Sequence, residues 1–188
     1  VKAEPLTVTG KFKQSAVWSD GKPITAQDLV ATWRTIMNPN WDITSREGWQ
    51  DIQRIVAKGK AFTVHFKPKR AYAAWDNLIA NTTIMPAHKV AGVDFNKLWN
   101  DSIDIASGPF KFQSWQQGTQ LTIVKNSAFK AGPPAKLDRV VFRFIAGASE
   151  FQALQSGEAD VMEPQPQLQI VDFYKDSKFK DQAGQGYQ

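Results

Sequence analysis

Apolar Leu6, Val8 and Phe12 sit among polar neighbours across residues 5–13. That period of two predicts a half-buried strand, weakest at Gly10. Asp20-Gly21 supplies a turn, and Pro23 keeps Lys22 out of the helical region. The spacing then changes. Ala26, Leu29, Val30, Trp33, Ile36 and Met37 recur at helical intervals behind Thr25 as N-cap, and Asp28 stands where a capping box places its acid. Asn38-Pro39 ends this helix, and residues 40–48 read as a polar loop with Trp41 inside it and Trp49 just beyond. Residues 52–57 and 61–66 predict a hairpin turning at Lys58-Gly59-Lys60. Short helices are expected at 71–80 and 94–101, joined by a segment that begins at Met85-Pro86.

The second half favours strands. Residues 109–115 and 120–126 form a meander turning at Gln117-Gly118, and 131–134 form a loop. Residues 140–145 are almost continuously apolar, the pattern of a strand buried on both faces. A helix at 149–156 closes at Gly157, followed by a short strand at 159–162 and a helix at 168–174. The whole is mixed α/β, without repeats or low-complexity tracts, and its seam falls near Ala106.

Composition narrows the class. The chain has 188 residues, 42% hydrophobic and 22% charged, the balance of a packed globular chain of one domain or two small lobes. Aromatics reach 12%, with seven Trp, enough rings for a core and a few to spare. The net charge of +5 is spread out, denser only at Lys58, Lys60, Lys67, Lys69 and Arg70. A nucleic-acid surface concentrates charge more and interleaves it with aromatics, so no nucleic-acid partner is expected. There is no Cys, which excludes disulfides, thiolate metal sites and Cys nucleophiles. No apolar run has the length of a membrane span. The chain opens at Val1 with no targeting segment ahead of the first strand, so it is expected to be a piece of a longer protein.

Catalytic chemistry finds no foothold. His65 lies within a predicted strand and His88 at a segment end, neither with companions that suggest a metal. Ser102, Ser107 and Ser149 lack a nucleophile elbow, and Gly184 and Gly186 make only a lone G-x-G. Glu158 and Asp160 would share one face of a strand, where solvation or capping is their ordinary role. The expectation is a protein that is not an enzyme and uses no cofactor or metal.

Two blocks carry a family resemblance. The first runs Val17-Trp18-Ser19-Asp20-Gly21-Lys22-Pro23-Ile24-Thr25-Ala26-Gln27-Asp28-Leu29, then Trp33. The second begins Ser107-Gly108-Pro109-Phe110-Lys111-Phe112 and continues through Trp115, Gly118 and Asn126. It then takes in Lys136-Leu137-Asp138 and Leu154-Gln155-Ser156-Gly157-Glu158-Ala159-Asp160. Together they resemble the bacterial extracellular solute-binding proteins of family 5, the oligopeptide, dipeptide and nickel class of ABC-transporter binding proteins. One departure is Ser127-Ala128-Phe129-Lys130, where the family carries a Tyr-Trp pair that would pack on the scaffold.

The resemblance implies a partial fold of the periplasmic-binding-protein type II kind, one mixed-sheet lobe plus a small α/β subdomain. Residues 1–106 would be the subdomain and 107–188 part of lobe one, with the second lobe lying outside the chain. It further implies an extracytoplasmic protein, periplasmic or held to the membrane by a lipid anchor. Such a protein captures a peptide or similar small solute and delivers it to an ABC-transporter permease. Solute contacts are expected at Asn81 and Thr82, a stretch that faces the cleft in such proteins, and at Glu163, whose carboxylate would pair with a peptide ammonium. The rival expectation is a stand-alone interaction domain that anchors a partner protein through exposed Trp41 and Trp49.

Overall fold

The computed structural model describes residues 5–70 and 72–162. The chain divides into two compact units. One holds the residues up to Gln117 together with Leu121–Phe142, and the other Gly118–Gln120 with the residues from Arg143 onward.

The first unit is built on a three-stranded antiparallel sheet in the order β1-β3-β2, formed by β1 (Thr7–Lys11), β2 (Ile52–Lys58) and β3 (Ala61–Phe66). Gly59, at φ 59°, makes the hairpin turn between β2 and β3. Val8 stands opposite Val64 in the central register, so the alternation read from the sequence faces the core. Gly10 is not merely a weak point. A Cβ there would come within 2.4 Å of the Phe62 ring, so the glycine admits an aromatic across the strand pair.

Helix α1 (Ala26–Met37) lies on this sheet. Its Leu29 and Ile36 join Val8, Trp49, Ile52, Val64 and Phe66 in one buried cluster. Trp49, in a 3-10 turn at Trp49–Asp51, is only 6% exposed and belongs to the core. It is therefore not the exposed anchor the interaction-domain reading requires. Trp41 is half-buried. A second cluster gathers Ala16, Trp18, Ile24 and Ile105. The basic residues near the hairpin are largely engaged: Lys60 Nζ donates to Ala16 O (2.9 Å) and Lys13 O (3.1 Å), and Lys67 Nζ to Gln50 O (2.6 Å).

Two short helices follow, α2 (Trp75–Ala80) and α3 (Ala87–Val90). The helix expected at 94–101 is instead a succession of turns. Asp94 Oδ1 accepts from Asn96 N at 3.1 Å, an Asx turn that competes with helical bonding, and Trp99 takes φ +64°.

A further sheet has the order β4-β5-β6, with β4 (Phe110–Gln116), β5 (Gln120–Lys125) and β6 (Arg139–Arg143). The meander is as expected, with Gly118 at φ 72° in its turn. The burial expected for residues 140–145 is not found. Among the described residues β6 is the edge of its sheet, and Val141, Phe142 and Phe144 are 43%, 48% and 52% exposed. In the second unit a 3-10 turn at Gly147–Ser149 leads into α4 (Glu150–Ser156), closed by Gly157 in the left-handed region at φ 77°. Residues 159–162 form no strand, because Glu158 and Ala159 donate back to Ala153 O and continue the helix cap. Glu158 meets Arg143 at 2.5 Å, and with no strand here Glu158 and Asp160 do not share the strand face expected for them. The helix expected at 168–174 and the Gly184/Gly186 pair lie outside the described residues.

Candidate functional site

The turn at residues 18–21 is a structural junction. Trp18 is buried at 2% exposure, its amide bonds to Lys22 O at 2.8 Å, and Gly21 N returns to Trp18 O with φ +85° at the glycine. Asp20 Oδ1 accepts from Lys22 N at 3.1 Å. Ser19 reaches far along the chain: its amide donates to Ala106 O at 2.8 Å, and its Oγ accepts from Ala106 N at 3.0 Å. Immediately after Ala106, the buried Asn126 donates from Nδ2 to Gly108 O (2.9 Å) and from its backbone to Pro109 O (2.8 Å). Within the first unit, then, the first block is bonded to the residue just ahead of the second, and the start of the second block is closed by its own Asn126.

Below that turn lies a buried polar pair on α1. Asp28 is 3% exposed and Thr32 0%. Asp28 Oδ2 accepts from Thr25 N at 2.7 Å, the acidic arm of the capping box. Its other oxygen accepts from Ala87 N at 2.7 Å, 59 residues away. Thr32 Oγ1 donates to Asp28 O (2.7 Å) and accepts from Met85 N (2.8 Å). These bonds hold the segment that connects α2 to α3. Sequence spacing marks Asp28 as a helix cap, but nothing local in the chain signals its second, distant partner.

Asn81 is exposed at the C-terminal end of α2, its Nδ2 donating to Asn77 Oδ1 at 2.8 Å, and Thr82 beside it is half-buried. The structure therefore places these two on the loop whose far end Asp28 and Thr32 hold. Glu163 lies outside the described residues. His65 Nδ1 lies 3.5 Å from Thr7 Oγ1, while His88 Nε2 sits 2.8 Å from Asp20 Oδ2 and ties the start of α3 to the turn. Among the described residues no group of three His, Asp or Glu is placed to hold a metal ion, and no helix is long and apolar enough to cross a membrane.

Charge tightens this junction. Partial burial pushes Asp20 up, but the Lys22 amide and the His88 ring outweigh it and leave the carboxyl below its ordinary 3.8. Asp104 is also held below its ordinary value, chiefly by its bond to Lys89, with Trp99 Nε1 donating to it at 2.9 Å. Both carboxyls bind protons less readily folded than unfolded. Their stabilisation is therefore complete above the ordinary carboxylate range and lost as pH falls through the lowered values. Denaturant midpoints should drop on going from pH 6 to pH 3, about pH 4 being the upper end of the loss. Asp20→Asn together with Asp104→Asn should flatten that dependence, and an equally steep profile in the double variant would contradict the assignment.

Comparison with known proteins places this scaffold. The family model described as bacterial extracellular solute-binding proteins, family 5 Middle, matches residues 1–188. The oligopeptide-binding protein AppA of Bacillus subtilis is 30% identical over 154 residues, covering 79% of this chain and 28% of AppA. An uncharacterized lipoprotein of Mycobacterium leprae, ML0489, is also 30% identical over 154 residues, covering 65% of this chain and 28% of its own length. Among solved structures, the periplasmic EDTA-binding protein EppA superposes with a TM-score of 0.80 at 28% identity, over 89% of this chain and 33% of EppA. The chain thus spans between a quarter and a third of the length of these relatives. It belongs to the bacterial extracellular solute-binding proteins of family 5.

Proposed function

We propose that this chain is part of the substrate-binding component of an ABC transporter, a protein that captures a peptide or similar small solute outside the membrane and delivers it to the permease. The observation that carries the reading is the family match across residues 1–188. Similarity to a named oligopeptide-binding protein favours peptides as the solute class. Similarity to a lipoprotein and to a periplasmic protein favours an extracytoplasmic site of action.

In this reading Asn81, Thr82 and Glu163 contact the solute, and the scaffold around Trp18-Ser19-Asp20-Gly21 does not. The exposed amide of Asn81 and the hydroxyl of Thr82 offer neutral donors and acceptors suited to a peptide backbone. Solute is enclosed by closure of two lobes, this chain supplying part of one wall, so binding requires no covalent step. The role is recognition and transfer, not catalysis.

Calorimetry with a mixed pool of di- to pentapeptides tests the reading. The protein comprising both lobes should show saturable binding at one site. The 188-residue chain by itself should bind at least about a hundredfold more weakly, because half of the enclosing contacts are missing. Equal affinity in the two would contradict the two-walled site.

A further inference from the structure

We propose that Asp28 and Thr32 are positioning residues for solute binding: they fix the register of the loop that carries Asn81 and Thr82. The proposal rests on the reading of those two residues as solute contacts and deepens it.

The geometry is that of a substitute sheet edge. Asp28 and Thr32 are one helical turn apart on α1, separated by roughly 6 Å along the axis. Met85 and Ala87 are two residues apart on an extended stretch, Pro86 having φ −69° and ψ 117°, and such a pair of amides is spaced by about 6.7 Å on one side of the backbone. The two spacings match, and each side-chain oxygen takes one amide, at 2.8 Å for Met85 and 2.7 Å for Ala87. Thr32 Oγ1 also donates a hydrogen bond to Asp28 O, so its hydroxyl is used both as donor and as acceptor.

The residue between the two amides makes the register exclusive. Pro86 is fully buried and has no N–H. A slip of one residue would bring Ile84 and Pro86 under the helix and leave the Asp28 carboxylate oxygen facing a position with no donor. Ile84 meanwhile packs against both apolar clusters, which adds an apolar anchor to the hydrogen bonds. From Ile84 the chain leads directly back to Thr82 and Asn81. A change at the helix therefore shifts the loop while leaving its own residues intact.

Thr32→Val keeps the shape of the side chain and removes the acceptor, and Thr32→Ser keeps the acceptor. Hydrogen exchange on the chain should show the Met85 amide and its neighbours back to Asn81 opening at least about tenfold faster in Thr32→Val, the equivalent of losing one net hydrogen bond. Amides of Val64 and Ile55 in the sheet should stay within about twofold, and Thr32→Ser should restore the original rates. Unchanged exchange at residues 81–85, or acceleration that is just as large at Val64, would overturn the positioning role. In the two-lobed protein, binding of the di- to pentapeptide pool should weaken in Thr32→Val and recover in Thr32→Ser. If the loop loosens but pool binding is unaffected, Asn81 and Thr82 are not the contacts, and that reading falls while the register device stands.

Discussion

Asp28→Ala is expected to destabilise the first unit by about 3 kcal/mol, a large share of the stability of a small domain. The carboxylate serves two half-buried backbone amides, Thr25 N at the start of α1 and Ala87 N at the start of α3. Loss of a helix-capping acceptor alone costs about 1 kcal/mol, and a buried amide left without a partner costs about 1–3 kcal/mol. Among the described residues the acid is held by amides and the Thr25 hydroxyl and by no cation. Asp28→Asn keeps one oxygen acceptor of the same size, so its effect should be about half as large. Guanidinium unfolding followed by Trp fluorescence measures both. A cost below about 1 kcal/mol for Asp28→Ala would mean that the far bond to Ala87 is not made in solution.

Trp49→Ala is expected to be still more damaging, about 3–5 kcal/mol, and it separates two functional readings. An interaction domain anchored by this ring predicts a stable variant that has lost its partner. The structure predicts the reverse. Trp49 is 6% exposed and packs with Ile52, Val64, Phe66, Leu29 and Ile36, so truncation opens a cavity at the centre of the first unit. Trp33 Nε1 bonds to the Trp49 carbonyl at 3.2 Å, and that contact survives the substitution because it uses backbone. A variant that unfolds at the wild-type midpoint would restore the anchor reading. Trp41, which is half-buried, is the better place to look for any surface role.

Local physics was legible wherever it was sufficient. The β2–β3 hairpin, the Thr25–Asp28 start of α1 and the Gly157 stop of α4 each rest on residues close together in sequence, and each was readable. Failures came where neighbours decide. An apolar run such as residues 140–145 states what a strand tolerates when covered, but exposure of Phe142 and Phe144 depends on what lies beside β6. The 94–101 segment has helical composition, yet the Asp94 side chain and the positive φ of Trp99 divert it into turns. For the candidate site, the sequence pointed to Asn81 and Thr82 only through family resemblance. The devices that hold their loop, Asp28 to Ala87 and Thr32 to Met85, span 59 and 53 residues and leave no periodic trace. Similarly, the Trp18-Ser19-Asp20-Gly21 turn reads as a simple reversal until Ser19 is seen bonded to Ala106.

The central claim is that this chain serves capture of a small solute. Mass spectrometry of the molecules released on denaturing the two-lobed protein, purified from its native host, addresses that claim most directly. The account predicts a peptide or chemically similar small solute, released at about one equivalent per site and reloaded on refolding. A protein that releases no small molecule and takes none up from a complex peptide mixture would contradict it.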